Sequence, residues 1–503
     1  MNIATSAPGL PDLTVDLLKN RGVLVDNLLA DLWKQIGMKH KLKRLGFAKR
    51  SGMPADQVVY CLMMWVWLGV DSVGMFARNS LQTFASGSKD ALYAALNSEK
   101  WNWRKLHLAV ARSAISKAGL KERTAAFVLD DTVVKRFGKK MPGISCHFDH
   151  TDGRFVMGQQ VLTLGISGGE GFVPVDSELY TSNSQAQGRH EAPKDGRSVV
   201  ARRFDKAKGQ AKPEMAADMI RRAVRASILA AYLIADSWFG TKAMILAAEE
   251  NDLVPVLRMK KNKMKYRLRE PQPDGTFVYY DLSADELFQR CVRKQWQRMG
   301  GGSLQKWQAK HIDVTLNLAD KKDGKEKWVK VRLLFVRGVD LDTEQTGKHA
   351  WALFLTTDLS LDAQRMLEIY SMRWAIEVYF KEAKQHLGLL KEQSNHYAAY
   401  LASIHLTAIR FCMLVIAKAD QPGRVADIRS SLCANLTNID YAARLWGSFR
   451  AVISGALDEM QDELGDLAGQ VMGKIDDSIQ RLFVNILQID AKTLALEDIE
   501  SIA

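Results

Sequence analysis

The sequence predicts a mixed α/β core, interrupted by a β-rich insertion and flanked by helical N-terminal and C-terminal regions. Three observations predict it. Residues 1–118 carry apolar residues at helical spacing, from Leu13 to Leu32 and again from Val58 to Leu68. From Ala125 the pattern changes to short apolar runs of strand length, Ala125–Leu129, Phe155–Ile166, Phe172–Leu179, Ile228–Ala235 and Leu253–Leu257, divided by turn signals and helical stretches. Between Arg258 and His349 the chain turns basic and alternating, with Lys260, Lys261, Lys263, Lys265, Arg267 and Arg269, the turn Gly300-Gly301-Gly302 and the strand pattern Val329–Val336.

In chain order, the helical region 1–118 holds a basic cluster, Lys39, Lys41, Lys43, Arg44, Lys49 and Arg50, broken by Gly46. It suits a small DNA-binding domain, and equally a solvated loop. The first part of the core spans 119–258: Gly168-Gly169-Glu170-Gly171 joins two strands as a hairpin, and the helical stretches Glu214–Ala226 and Thr241–Glu250 flank the fourth run. The insertion covers 259–349. The core resumes over 350–395 with the strand Trp351–Leu355 and a long helix from Ala363 to about Leu390. Helices fill 396–503, where the amphipathic Leu457–Leu487 suits packing on the core or on a second subunit.

The formal charge of +13 is unevenly spread. From Ala456 onward eleven acidic residues face three basic ones, a net of −8, which leaves +21 on residues 1–455. That excess points to a polyanionic partner bound through Lys and Arg. The five cysteines are odd in number and far apart, which favours a reduced, cytoplasmic protein over a disulfide framework. The longest uncharged apolar run, Val58–Val70, is too short for a bilayer, and Met1–Asp12 lacks an export pattern, so no membrane partner is expected. Cys146, His147, Asp149 and His150 crowd together without a second ligand pair at a supporting distance, and no phosphate-binding Gly-Lys-Ser/Thr loop is present.

Two of the apolar runs lead into an aspartate: Phe127-Val128-Leu129 into Asp130-Asp131-Thr132, and Tyr232–Ala235 into Asp236-Ser237-Trp238-Phe239. A carboxylate that follows a buried strand stands at the rim of the sheet, where ligands of α/β folds bind; the same placement also serves helix caps and turns. A third group is sharper. Tyr370, Arg373, Glu377 and Lys384 recur at intervals of three, four and seven. At about 100° per residue they share one helical stripe. Arg and Lys beside a carboxylate suit metal-dependent phosphodiester chemistry, while a solvated face with an Arg373–Glu377 ion pair is the plainer alternative.

The spacing Tyr370, Arg373, Glu377, Lys384 resembles the signature of bacterial insertion-sequence transposases of the insertion-sequence-four group. Asp130-Asp131-Thr132 resembles the group's first catalytic motif and Ala235-Asp236-Ser237-Trp238-Phe239 its second, and the likeness covers about residues 125–390. Asp131 departs from the small residue common after the first Asp, so Asp130 is chosen through the Asp-x-Thr frame; Lys135-Arg136-Phe137-Gly138-Lys139-Lys140 resembles the stretch after Asp-Asp-Thr in one subgroup. The resemblance implies a ribonuclease-H-like core and a cut-and-paste DNA transposase, with Asp130, Asp236 and Glu377 as catalytic residues holding two divalent ions, magnesium or manganese. It implies DNA contacts by Tyr370, Arg373 and Lys384, and a flipped base stacked on Trp374. Trp351 fits either a second wedge or the core. The implied partners are double-stranded terminal inverted repeats and target DNA, bound by a homodimer at the bacterial nucleoid. Two alternatives stay open: a nuclease of the same fold without strand transfer, and a catalytically idle DNA-binding descendant.

Overall fold

The structure, a computed structural model, describes residues 27–478 apart from 139–140, 150–152, 182–192, 294, 301–305, 320–325, 339–350, 393, 422, 461–464, 466 and 476–477. Expectations for Met1–Asp12, for most of Leu13–Leu32, for Lys139, Lys140, His150, Gly301 and Gly302, and for much of Leu457–Leu487 lie outside the described residues. The chain divides into two compact units: described residues of Met1–Ser113, Ser198–Val200 and Ala383–Ala503 form one, and those of Ala114–Arg197 and Ala201–Glu382 form the other.

The second unit is built on one mixed sheet of twelve strands among the described residues, with helices, so the fold is mixed α/β. The strands are β1 (Ala126–Lys135), β2 (Ile144–Asp149), β3 (Arg154–Gly168), β4 (Gly171–Tyr180), β5 (Tyr232–Ala235), β6 (Val254–Met259), β7 (Tyr266–Pro271), β8 (Phe277–Leu282), β9 (Gln297–Arg298), β10 (Trp307–Asn317), β11 (Trp328–Gly338) and β12 (Trp351–Thr356). The path through the sheet is β2-β3-β1-β5-β6-β12-β11-β10-β7-β8, with β4 also on β3 and β9 on β10. β3 and β4 form the expected hairpin. β1, β5 and β6 run parallel, and Phe127, Val128, Leu129, Leu233, Ile234, Ala235, Val256 and Leu257 are buried, as strands covered on both faces must be. The strands of the expected insertion do not stand apart: β10 and β11 continue the same sheet beyond β12.

Two expectations change. β1 does not stop before Asp130; it runs on to Lys135, because β3 pairs with it antiparallel all the way from Ala126↔Ser167 to Lys135↔Gly158. Asp130 is therefore mid-strand, yet the parallel ladder with β5 ends at Leu129↔Ala235, so Asp130 and Asp236 each follow the last paired position. The expected long helix is two helices, Ala363–Ser371 and Trp374–Gln385. Between them the backbone tightens to three-residue steps, Arg373 N–H to Tyr370 O at 3.0 Å and Ile376 N–H to Arg373 O at 3.2 Å, while Ser167 Oγ of β3 donates to Met372 O at 3.1 Å. A carbonyl held from outside the helix no longer continues its ladder.

The first unit is helical. Asn27–Gln35, Met38–Arg44, Ala55–Met64, Val73–Asn79, Leu81–Phe84 and Lys89–Leu96 belong to it together with Tyr397–Asp420 and Val425–Glu459. Tyr397–Asp420 is long and apolar enough to cross a membrane, but its apolar window is wholly buried, and it is apolar all round as a central helix is. Its Arg410, fully buried, donates to Met63 O at 2.9 Å, to Leu387 O at 2.8 Å and to Leu62 O. Of the basic cluster, Lys41 is committed to Ile36 O at 2.6 Å, capping the helix Asn27–Gln35 from behind.

Candidate active site

The rim where the parallel ladder ends gathers the polar side chains. Asp130 leaves β1 there, and Asp236 follows β5 in a loop that folds back on itself: Trp238 N–H donates to Asp236 Oδ1 at 3.0 Å and Phe239 N–H to Asp236 O at 3.1 Å. Gly240 lets this loop lie against β6, since a Cβ there would stand 2.3 Å from Arg258 O. The break between the two signature helices then turns Arg373 inward. Its guanidinium donates to Asp130 Oδ2 at 2.7 Å and, one helical turn on, to Glu377 Oε1. One cation thus joins Glu377 to Asp130, which lies 243 positions before Arg373 in sequence.

Burial disfavours the charged carboxylate, and it pushes Asp130 up to about 7; the Arg373 charge pulls the other way, and the neighbouring Asp236 and Asp131 charges add to the rise. Burial likewise raises Asp236, opposed by the Trp238 N–H. Tyr370 is raised by burial too, with its ring edge-on to Phe354 at 4.7 Å and its charge environment set by Arg373, Arg258, Asp236 and Asp130. Trp374, 66% exposed, opens the second helix. Lys384 is exposed near the end of that helix, in the part assigned to the helical unit. Trp351 is core: it stacks on Phe288 at 4.8 Å and 6°.

Asp131 has separate partners. Lys212 Nζ meets its Oδ2 at 2.9 Å and Gln160 Nε2 its Oδ1 at 2.6 Å, so Asp131 is satisfied within the fold while Asp130 faces Arg373. Lys212, Gln160, Arg258 and Lys260 were not singled out at this site by the sequence. Lys260 had stood only as part of a basic cluster, and the Lys212–Asp131 pair spans 81 residues with no spacing rule to reveal it.

Clustered carboxylates, one of them raised to about 7 chiefly by burial, make an oxygen donor set suited to a hard divalent cation once deprotonated. Among the described residues no three carboxylate, imidazole or thiol groups are arranged to hold an ion as they stand. The positive charge between Asp130 and Glu377 is the guanidinium itself. Asp130, Asp236 and Glu377 fit a metal only with Arg373 turned aside.

Residues 67–276 match the family described as DDE superfamily endonuclease, and residues 195–412 match the family described as Transposase DDE domain. The two matches overlap across Asp236 and together take in the stretch that bears Asp130 and Glu377. Both support a DDE transposase, and the mixed sheet with its helices is consistent with a DDE nuclease fold. No curated protein matches the chain.

Proposed function

We propose that this chain is a cut-and-paste DNA transposase of the insertion-sequence-four type, acting at the ends of its element through Asp130, Asp236 and Glu377. The observation that carries the reading is the guanidinium of Arg373 between Asp130 and Glu377, beside Asp236. A strand order β4-β3-β1-β5-β6, with the first three antiparallel and the last two parallel to β1, supports a ribonuclease-H-like core.

Two magnesium or manganese ions, when bound, would supply an activated water or 3′-hydroxyl and charge stabilisation at the leaving oxygen. The protein's part is to hold them and to position DNA. Asp130, Asp236 and Glu377 donate carboxylate oxygens. Arg373, once free of them, grips a phosphate beside the cut, with Lys384 further along the helix and Tyr370 as a hydrogen-bond donor to the strand. Trp374 offers an exposed indole for a base drawn out of the stack. Because the two ends of an element are cut together, the working form on DNA is a homodimer in the cytoplasm, at the nucleoid.

Incubation with the DNA flanking its own gene plus magnesium should yield nicked ends and joined products, and Glu377→Gln should keep end binding in a gel shift while abolishing both. Retained nicking by that variant removes Glu377 from the chemistry. Nicked ends that never join to plasmid DNA turn the reading into a plain nuclease.

A further inference from the structure

Trp238 is 53% exposed although Phe239, next to it, is buried. An indole left half in solvent is not there to fill the core. Its place is nevertheless fixed. The loop that carries it is closed by two hydrogen bonds to Asp236 and is pressed on β6 at Gly240.

Two ammonium groups attend the ring. Lys260 Nζ lies 3.7 Å from its centre and Lys212 Nζ 5.0 Å. They differ in kind. Lys212 is buried and bonded to Asp131, so it is part of the framework. Lys260 is exposed, forms no ion pair among the described residues, and lies within electrostatic reach of Asp236. The Lys260 ammonium lies over the indole face, and a nucleotide can use both groups once that ammonium swings aside: the ring takes the base and the ammonium takes its phosphate.

We propose that Trp238 and Lys260 form a nucleotide subsite beside Asp236, stacking one unpaired base and pairing its phosphate, apart from the contacts made by the Trp374 helix. The inference rests on the reading above that the substrate is DNA. Because Lys260 is exposed and, among the described residues, meets the ring without an ion pair, it can turn to the phosphate. Stacking is indifferent to base identity, so the subsite takes any unpaired nucleotide next to the cut.

The test measures binding of the full chain, without magnesium, to a single-stranded oligothymidylate of about twelve nucleotides and to an abasic backbone of equal length. Trp238→Ala should weaken oligothymidylate binding about tenfold and leave the abasic probe unchanged, with Trp238→Phe recovering most of the loss. Lys260→Ala should weaken both probes and lower the slope of log affinity against log salt by about one. Equal losses on both probes for Trp238→Ala, or none on either, overturn the subsite while DNA binding itself persists. A wild-type chain that binds neither single-stranded probe overturns the subsite, whereas the DNA reading itself falls only if the chain also fails to bind or nick the double-stranded DNA flanking its gene.

Discussion

Asp130 answers to opposing forces: desolvation favours its proton and Arg373 favours its charge, and desolvation prevails, leaving it near pH 7. A carboxyl raised in the folded state above its unfolded value keeps a proton that the unfolded chain has released. Its stabilising effect is therefore present at low pH and is lost as pH rises from about 4 through 7. Asp130→Asn, which resembles the protonated form, should raise the melting temperature of magnesium-free protein most at pH 8, by a smaller amount at pH 5, and hardly at all below about pH 4. The ceiling is about 4 kcal/mol from the size of the shift. An equal gain at all three pH values would mean that the charge of Asp130 is not the source. Asp131 is instead ion-paired: Lys212→Met should cost about 3 kcal/mol in urea unfolding, and adding Asp131→Asn should recover much of it. What was legible at this scale is the pair Arg373 and Glu377, one helical turn apart. The Asp131–Lys212 pair was not, since only tertiary folding brings the two together.

At the scale of elements, apolar runs marked the fully buried halves of strands and missed the rest. Ala126–Leu129 of β1 is buried on both faces, whereas Asp130–Lys135 is half exposed and polar, so its strand character comes from pairing with β3 and not from composition. β2 escaped for the same reason: Ile144–Asp149 is short and mixes polar with apolar residues. The break at Met372 was illegible because no Pro or Gly marks it, and the hydroxyl that bonds its carbonyl, Ser167, is 205 residues away. The loop after β5 is more exacting. Gly240→Ala must move the loop off the Arg258 carbonyl, at about 1–3 kcal/mol by urea unfolding, and should depress Trp238-dependent binding along with it. Unchanged stability would show that the loop has room.

At the scale of the molecule, the helical character of both terminal regions was readable from periodicity, but their union in one unit was not. Periodicity says that a face is apolar and is silent on which distant helix covers it. Tyr397–Asp420, buried from Tyr397 to Ala417, needs cover on every side there, and the early helices belong to the unit that supplies it. Arg410 binds that arrangement by closing three carbonyls from Leu62, Met63 and Leu387. Arg410→Met should cost about 3 kcal/mol or more, read from denaturant unfolding, because the buried bonds to Leu62 O, Met63 O and Leu387 O are lost, Leu387 O keeping Thr407 Oγ1 at 3.3 Å. A loss below about 1 kcal/mol would mean that water replaces it.

The guanidinium that spans Asp130 and Glu377 works like a safety catch. While it is engaged, two acids far apart in sequence are neutralised from within and the arm that would seize a DNA strand is occupied. On the proposed function, loading the ions and freeing that arm would be one event, and a resting molecule would keep its cutting edge sheathed.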